Sequence, residues 1–488
     1  MAFFFANIIF ILTLILFGSY LILGIFSALA LRKYLRKNSY INYNSLVLSP
    51  LSPRVSIIAP AYNESKNIID NIRTLLSLYY NNFEVIIVND GSTDDTFTKI
   101  KEGFNMVRVN YFFDYRIPCE RIKGVYKSKD PSFNRLTIID KNNGGKADSL
   151  NAGINISRSG LIVTIDADSI IEADSLLKLV KPFLEEKDRK VIGTGGVIRI
   201  VNSCDIEKGF IRKIHLPKKI IPRLQVLEYT RAFLLGRMAW SQLDGLMLIS
   251  GAMGMFDRET VIQAGGYSIK TVGEDMELVL RMRRYMAEQK KKYEITYIPD
   301  PLCWTEVPSD LRSMKQQRNR WTRGLIESLW THRKIFFNRK YKRLGLLGYP
   351  YWFFFEWMAP LIAFGGFVYT AYLIIAGKLN WSFFLLLFLF VYTFAVLLST
   401  WSVLFEEITF HKYERKRDVL RLLSAALVEP FFYPAHTWFA VTGNIQALFR
   451  IKAWGAVKRK GFDKDKKKPE KKTTASKEIT TSKETTTS

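Results

Sequence analysis

Residues 3 to 31, FFFANIIFILTLILFGSYLILGIFSALAL, carry no charged side chain, and nothing else in the sequence restricts the fold as strongly. At 1.5 Å per residue such a helix spans roughly 40 Å, more than the ~30 Å hydrocarbon core of a bilayer needs. The expectation is a tilted transmembrane helix. A cleaved signal peptide would begin with basic residues and have a shorter apolar stretch, whereas here the basic cluster LRKYLRK comes afterward. Positive charge on that flank places residue 32 onward in the cytoplasm.

The second membrane block opens after Arg343, where two long apolar runs separated by KLN predict a hairpin crossing out and back. Residues 419–449 are apolar too, but they contain Glu429, Pro430 and Pro434 and have basic residues at both ends. One plain crossing would violate the charge rule, so a broken or re-entrant hairpin is expected there. From Lys458 the chain is rich in Lys, Thr, Ser and Glu and is expected to be disordered. The organisation expected is an anchor with its basic flank at 1–45, a cytoplasmic domain at 46–335, a membrane region at 336–455 and a tail at 456–488.

Lys and Arg number 71 against 45 Asp and Glu, a net charge of +26. Much of the excess flanks apolar segments or lies in the tail, which points to membrane lipids and not to nucleic acid as the partner. Cys119, Cys204 and Cys303 are scattered without disulfide or metal spacing and suit a reducing compartment. His215, His332, His411 and His436 are equally dispersed.

Between about residues 53 and 335 short β-branched runs alternate with helical spacing: RVSIIAPAYNE, NIIDNIRTLLSL, FEVIIVNDGSTDD, RLTIID and GLIVTIDADSI. The alternation predicts an α/β domain with a mostly parallel sheet covered by helices, whose ligands bind beyond the carboxyl ends of the strands. Asp90 follows one strand directly, and Asp166 and Asp168 follow another. Strand alternation in DAD sends Asp166 and Asp168 to one side, where both could face Mg2+ or Mn2+ together with substrate phosphates. A solvated loop is the plainer alternative for DAD, and a turn for Asp90.

KNNGGKADSLNAG offers Gly144, Gly145 and Lys146 at a helix start, suited to a phosphate or a sugar carbonyl, or simply to a loop and cap. Glu274 and Asp275 precede a helical pattern, a place the helix dipole favours for acids whatever their function. As a functional group Asp275 would be a general base. In QQRNRWTRG, residues 316–324, a helix brings Gln317, Arg320 and Trp321 to one face. The arginine fork suits a diphosphate and the indole a sugar ring, while an amphipathic interfacial helix is the competing reading.

In order, VNDGSTDD, DAD, GED and Q-x-x-R-W resemble the signature of the processive family 2 glycosyltransferases, inverting membrane enzymes that include cellulose, chitin, hyaluronan and poly-β-1,6-N-acetylglucosamine synthases, the last being nearest. PAYNE, GGKADSLNAG and SGAMGMF are similar to family segments as well, so the resemblance covers most of residues 53–450. It implies a GT-A, Rossmann-like domain between N- and C-terminal transmembrane helices in the inner (plasma) membrane. It further implies a UDP-sugar donor and a growing glycan or lipid-linked acceptor, with polysaccharide export partners. Tyr62, Glu64 and Asp90 would line the uridine pocket, and Asp166 and Asp168 would hold the diphosphate through the metal. Asp275 would be the base and Gly251 would border the acceptor, with Gln317, Arg320 and Trp321 closing over the diphosphate and flooring the acceptor site. Residues 111–134 look like an insertion, and the membrane block looks small for a wide polymer channel. Two other readings stand beside this one, a single-sugar transferase acting on a lipid carrier and a catalytically silent sugar-nucleotide sensor.

Overall fold

The computed structural model describes residues 2–38, 49, 52–411, 413 and 415–449. The tail at 456–488 and most of the basic flank after Asn38 lie outside the described residues.

Twelve strands are present among the described residues: β1 Val55–Ala61, β2 Phe83–Asn89, β3 Met106–Val109, β4 Ile122–Ser128, β5 Leu136–Lys141, β6 Leu161–Ile165, β7 Ile170–Ile171, β8 Lys190–Ile200, β9 Asp205–Glu207, β10 Phe210–Lys213, β11 Met253–Asp257 and β12 Tyr293–Thr305. Ten of them form one sheet in the order β3-β4-β5-β2-β1-β6-β11-β8-β12-β7, and β9 and β10 pair separately. At its centre β5, β2, β1 and β6 are parallel. Every residue of β2 and β6 is buried, which is why both read as unbroken apolar runs: helices cover a parallel sheet on both faces. Around this core β4, β11 and β7 run against the rest, so the sheet is mixed and parallel only in its central part. From β1 the chain moves to β2 on one side, and β6 lies on the other. Ligands of open α/β sheets gather at such a point, beyond the strands' carboxyl ends.

The segment expected to be an insertion is part of the sheet. β4 joins β3 to β5 in antiparallel pairings on both edges. Its sequence IKGVYKS is half polar and only partly buried, so it lacks the alternation that marks a strand. Residues just before it clamp α2, Lys146–Ile156: Ile117 N–H donates to Asn155 Oδ1 at 3.0 Å, and Glu120 N–H to Asp148 Oδ2 at 2.9 Å.

Beyond α1, Ala2–Asn38, the helices that frame the site are α3, Glu274–Glu288, and α4, Leu311–Thr331. α5, Ala359–Ile375, and α6, Trp381–Phe410, follow, then α7, Lys416–Val428, and α8, Tyr433–Leu448. Among the described residues three helical stretches, Thr13–Asn38, Leu344–Ile375 and Trp381–Phe410, are long and apolar enough to cross a membrane. The apolar run at 419–449 is broken where expected, by a 3-10 turn at Glu429–Phe432 between α7 and α8. Glu429 is not left alone there: Arg231 Nη2 lies 2.9 Å away and Ser399 donates at 2.5 Å. α8 then packs on α4, so closely that a Cβ on Gly443 would fall 2.8 Å from Thr322 Cβ.

Candidate active site

The loop from β5 to α2 is built around Asp90. Lys141 Nζ reaches Asp90 Oδ1 at 2.5 Å, and the Gly144 and Gly145 amides donate to its two oxygens at 2.9 and 2.8 Å. Asn143 Nδ2 adds a bond to the Asp90 carbonyl at 2.8 Å. The glycine amides thus face a carboxylate of the same domain, and Gly145 turns the chain at a φ of 86° to start α2. Asp90 is buried and anchors this loop. Tyr62, at the end of the neighbouring strand, is half exposed, and the Glu64 amide donates to Thr96 Oγ1 at 2.9 Å.

DAD differs from its expected form. β6 ends at Ile165, and the Ser169 amide donates to the Asp166 carbonyl at 3.0 Å, so Asp166 and Asp168 belong to a tight turn and not to an extended strand. Strand alternation therefore does not set their directions. Asp and Ser favour turns through local hydrogen bonding, and here that preference prevails over continuing the strand. Asn71 donates to the Ala167 carbonyl and pins the turn from the helix behind it. Asp168 is buried, while Asp166 is partly open.

Several separate segments meet at Lys146. Its ammonium is 2.6 Å from Asp166 Oδ1, 3.5 Å from Glu274 Oε1 and 3.2 Å from the Gly251 carbonyl. Burial works against its charge, but Asp166 and Glu274 outweigh burial and hold the ammonium above the usual lysine range. Burial pushes the Glu274 carboxyl above the usual carboxylate range, against the pull of Lys146. Gly251 continues the chain of contacts, because its amide donates to Asp275 Oδ2 at 3.0 Å while Met276 N–H donates to Oδ1 at 2.9 Å. GGK, DAD, SGA and GED are thus joined through direct contacts.

Helix α4 packs against the start of α3 on one face and against α8 on another. Asp310 caps it by accepting from the Ser313 amide at 2.9 Å. Gly324 lies against Gly273, so that a Cβ on Gly273 would fall 2.7 Å from the Gly324 Cα. Gln317, Arg320 and Trp321 precede Gly324 by seven, four and three residues and therefore share its face. The Gln317 amide oxygen is buried with no hydrogen-bond partner among the described residues. Trp321 is half exposed, with the Arg318 guanidinium 4.2 Å from its ring centre and Arg318 held by Glu228 at 2.6 Å. Sequence reasoning passed over Lys141, Arg318 and the Gly273–Gly324 contact, and it named Glu274 only as an acid at a helix start. Signals existed for two of these: a glycine inside a helix, and an arginine three residues before the tryptophan.

Among the described residues no group of three or more His, Cys, Asp or Glu side chains gathers to hold an ion. Asp166 and Asp168 supply hard oxygen donors from a single turn, which fits a divalent cation that completes its shell with diphosphate oxygens.

Residues 56–115 match the description "Glycosyl transferase family 2", and residues 161–396 match "Glycosyl transferase family group 2". The chain belongs to the family 2 glycosyltransferases. It is a hexosyl-transferring enzyme on the GT-A fold, and its apolar helices mark it as membrane-associated. A poly-beta-1,6-N-acetyl-D-glucosamine synthase of Staphylococcus epidermidis is 27% identical over 419 residues, 83% of this chain and 84% of the relative. One from Staphylococcus aureus (strain COL) is 28% identical over 295 residues, 60% of this chain and 59% of that relative's length. Among solved structures, a mannosyltransferase from Pyrobaculum calidifontis in complex with GDP-Man and Mn2+ is similar with a TM-score of 0.49 and 16% identity, covering 89% of this chain and 99% of that one.

Proposed function

We propose that this glycosyltransferase transfers a sugar, N-acetylglucosamine or a related hexose, from its UDP derivative onto a growing polysaccharide with inversion. The observation that carries the reading is the run of contacts from Asp166 through Lys146 and Gly251 to Asp275, which puts the groups for the leaving diphosphate and for proton removal side by side. Similarity to the poly-beta-1,6-N-acetyl-D-glucosamine synthases over most of the chain supports the choice of sugar and of polymer.

Asp275 is the base. Its carboxylate, oriented by the Gly251 and Met276 amides, takes the proton of the acceptor hydroxyl as that oxygen attacks the anomeric carbon. The bond from that carbon to the UDP oxygen breaks, UDP leaves with the electron pair, and the configuration inverts. Lys146 and Arg320 place fixed positive charge near the departing diphosphate. Asp166 and Asp168 would hold Mg2+ or Mn2+, which would supply further positive charge to the diphosphate. Tyr62 and Glu64 border the nucleotide at the end of β1. Trp321 offers its open indole face to the acceptor sugar, the other face being covered by Arg318, and the orphaned amide oxygen of Gln317 accepts from a sugar hydroxyl.

In this reading the catalytic domain is cytoplasmic, at the inner membrane of a multi-pass protein, and export partners receive the polymer. The test is purified protein in nanodiscs incubated with a panel of radiolabelled UDP-sugars, followed by sizing of the product. Long product from UDP-N-acetylglucosamine is expected. A singly glycosylated lipid as the sole product of every donor would refute polymerisation.

A further inference from the structure

The helix that carries the catalytic base begins without a cap of its own. Gly273 occupies the N-cap position of α3 and has no side chain to accept from the first-turn amides, which most helices satisfy with Ser, Thr, Asp or Asn. Something else must fix the turn at 271–273 that sets where Glu274 and Asp275 stand. That support comes from α4. Glu327 Oε2 accepts from Thr271 Oγ1 at 2.8 Å and from the Val272 amide at 3.0 Å, and Thr271 Oγ1 in turn accepts from the Gly273 amide at 3.1 Å. One helical turn earlier on α4, Gly324 meets Gly273 backbone to backbone.

We infer that Glu327 is a positioning residue for the glycosyl transfer: it holds the 271–273 turn against α4 and thereby sets Asp275 relative to Gly251. The inference rests on the reading of Asp275 as the base. Glu327 acts through backbone and hydroxyl and touches no reacting atom. Because both bonds end on the same oxygen, an amide side chain that presents its carbonyl there keeps them, and negative charge is not what the role requires. The effect belongs on turnover and not on donor binding, since a small displacement of a base from its substrate costs rate far more than affinity.

The experiment compares Glu327→Ala, Glu327→Gln and Thr271→Val with wild type in nanodiscs, following transfer from UDP-N-acetylglucosamine and, separately, amide hydrogen exchange without substrate. Glu327→Ala is expected to lower kcat by about tenfold or more with the donor KM within about twofold. Glu327→Gln should stay within about threefold of wild type, because it keeps the acceptor oxygen. Thr271→Val removes the hydroxyl's bonds to Glu327 and from the Gly273 amide but keeps the Val272 amide on Glu327, so it falls between them and serves if the alanine variant does not fold. Exchange at the Val272–Asp275 amides should quicken in Glu327→Ala and not in Glu327→Gln, while the rest of α3 is unchanged. Three results would overturn the inference: unaltered kcat in Glu327→Ala, equal losses in the glutamine and alanine variants, or unaltered exchange at 272–275. Ordinary turnover in Asp275→Asn together with quickened exchange would instead sink the base assignment while leaving the support of the turn by Glu327 intact.

Discussion

Lys141 and Lys146 lie a few residues apart, and each stands between two acids. Lys141 Nζ is 2.5 Å from Asp90 and 2.6 Å from Asp148, donates to the Asn142 carbonyl at 2.7 Å, and has a fully buried side chain. Lys146 Nζ is 2.6 Å from Asp166 and 3.5 Å from Glu274, with a side chain 20% exposed. In the first cluster the lysine and the glycine amides bond both Asp90 oxygens, and the pair is closed off from solvent. The second stays open on one side and is linked through Gly251 to Asp275. Identical chemical groups are thus sealed in one place and open in the other, and in the proposed reading the open cluster serves the chemistry.

The sharpest test of that division lies on the open side. Asp275→Asn should lower turnover by about two to four orders of magnitude while donor affinity stays within several-fold, because it removes a proton acceptor and no donor contact. Steady-state kinetics and UDP titration of one preparation decide it, with unchanged turnover counting against the open cluster as the site of chemistry.

Next in size is a stability effect on the sealed side. Lys141→Met leaves Asp90 and Asp148 buried without their cation and should cost about 3–5 kcal/mol, the range for breaking a buried pair. Lys146→Met should cost less, about 1–2 kcal/mol, because Asp166 keeps a path to water, yet it should depress sugar transfer. Thermal melts in detergent alongside transfer assays would show whether stability and activity separate between the two lysines. Equal melting losses would break the comparison.

A smaller effect concerns the DAD turn. Asp168→Asn should abolish the metal-dependent part of UDP binding, about a tenfold loss of affinity, whereas Asp90→Asn should lower stability and leave the metal dependence in place. Calorimetry with UDP in Mn2+ and in chelator separates the two variants. Wild-type affinity that does not change in chelator would remove metal from the account of the open cluster.

Why the sequence disclosed one cluster more readily than the other follows from what each depends on. The uncharged run near the N-terminus, the buried strands β2 and β6 and the break at Pro430 are local patterns, and burial, period and proline geometry make them readable. Asp166, Gly251, Asp275 and Gln317 were likewise marked by short motifs. Lys141 was not, since its role depends on Asp90 and Asp148 arriving from separate elements, and a lysine after a strand looks the same whether solvent or two carboxylates meet it. β4 was missed because a half-polar strand has no period, and the DAD turn because a one-residue alternation cannot be told from a turn without knowing where the strand stops pairing. Contacts made by backbone alone, such as Gly273 against Gly324, leave only a glycine as their trace.

A third pair extends the comparison to greater exposure and carries the smallest expected effect. Arg116 grips Glu259 with two bonds of 2.8 and 2.9 Å, joining the stretch before β4 to the helix after β11, with the two side chains 37% and 50% exposed. If solvent access ranks these clusters, this well-formed fork should contribute least, since water screens it and ordering two long side chains opposes it. Hydrogen bonds from Arg116, with help from Gln263, hold the Glu259 carboxyl down to about 2 from an ordinary 4.5. A carboxyl lowered in the folded state stabilises it above the unfolded value, so the contribution is complete above about pH 4.5 and is lost as pH falls through about 2. Arg116→Ala should therefore speed proteolysis or amide exchange in residues 111–120 slightly at pH 7, with the gap from wild type narrowing below pH 4.5 and also narrowing in high salt. A global melting loss in Arg116→Ala as large as that of Lys141→Met would show that pair geometry, and not access to water, ranks the three clusters.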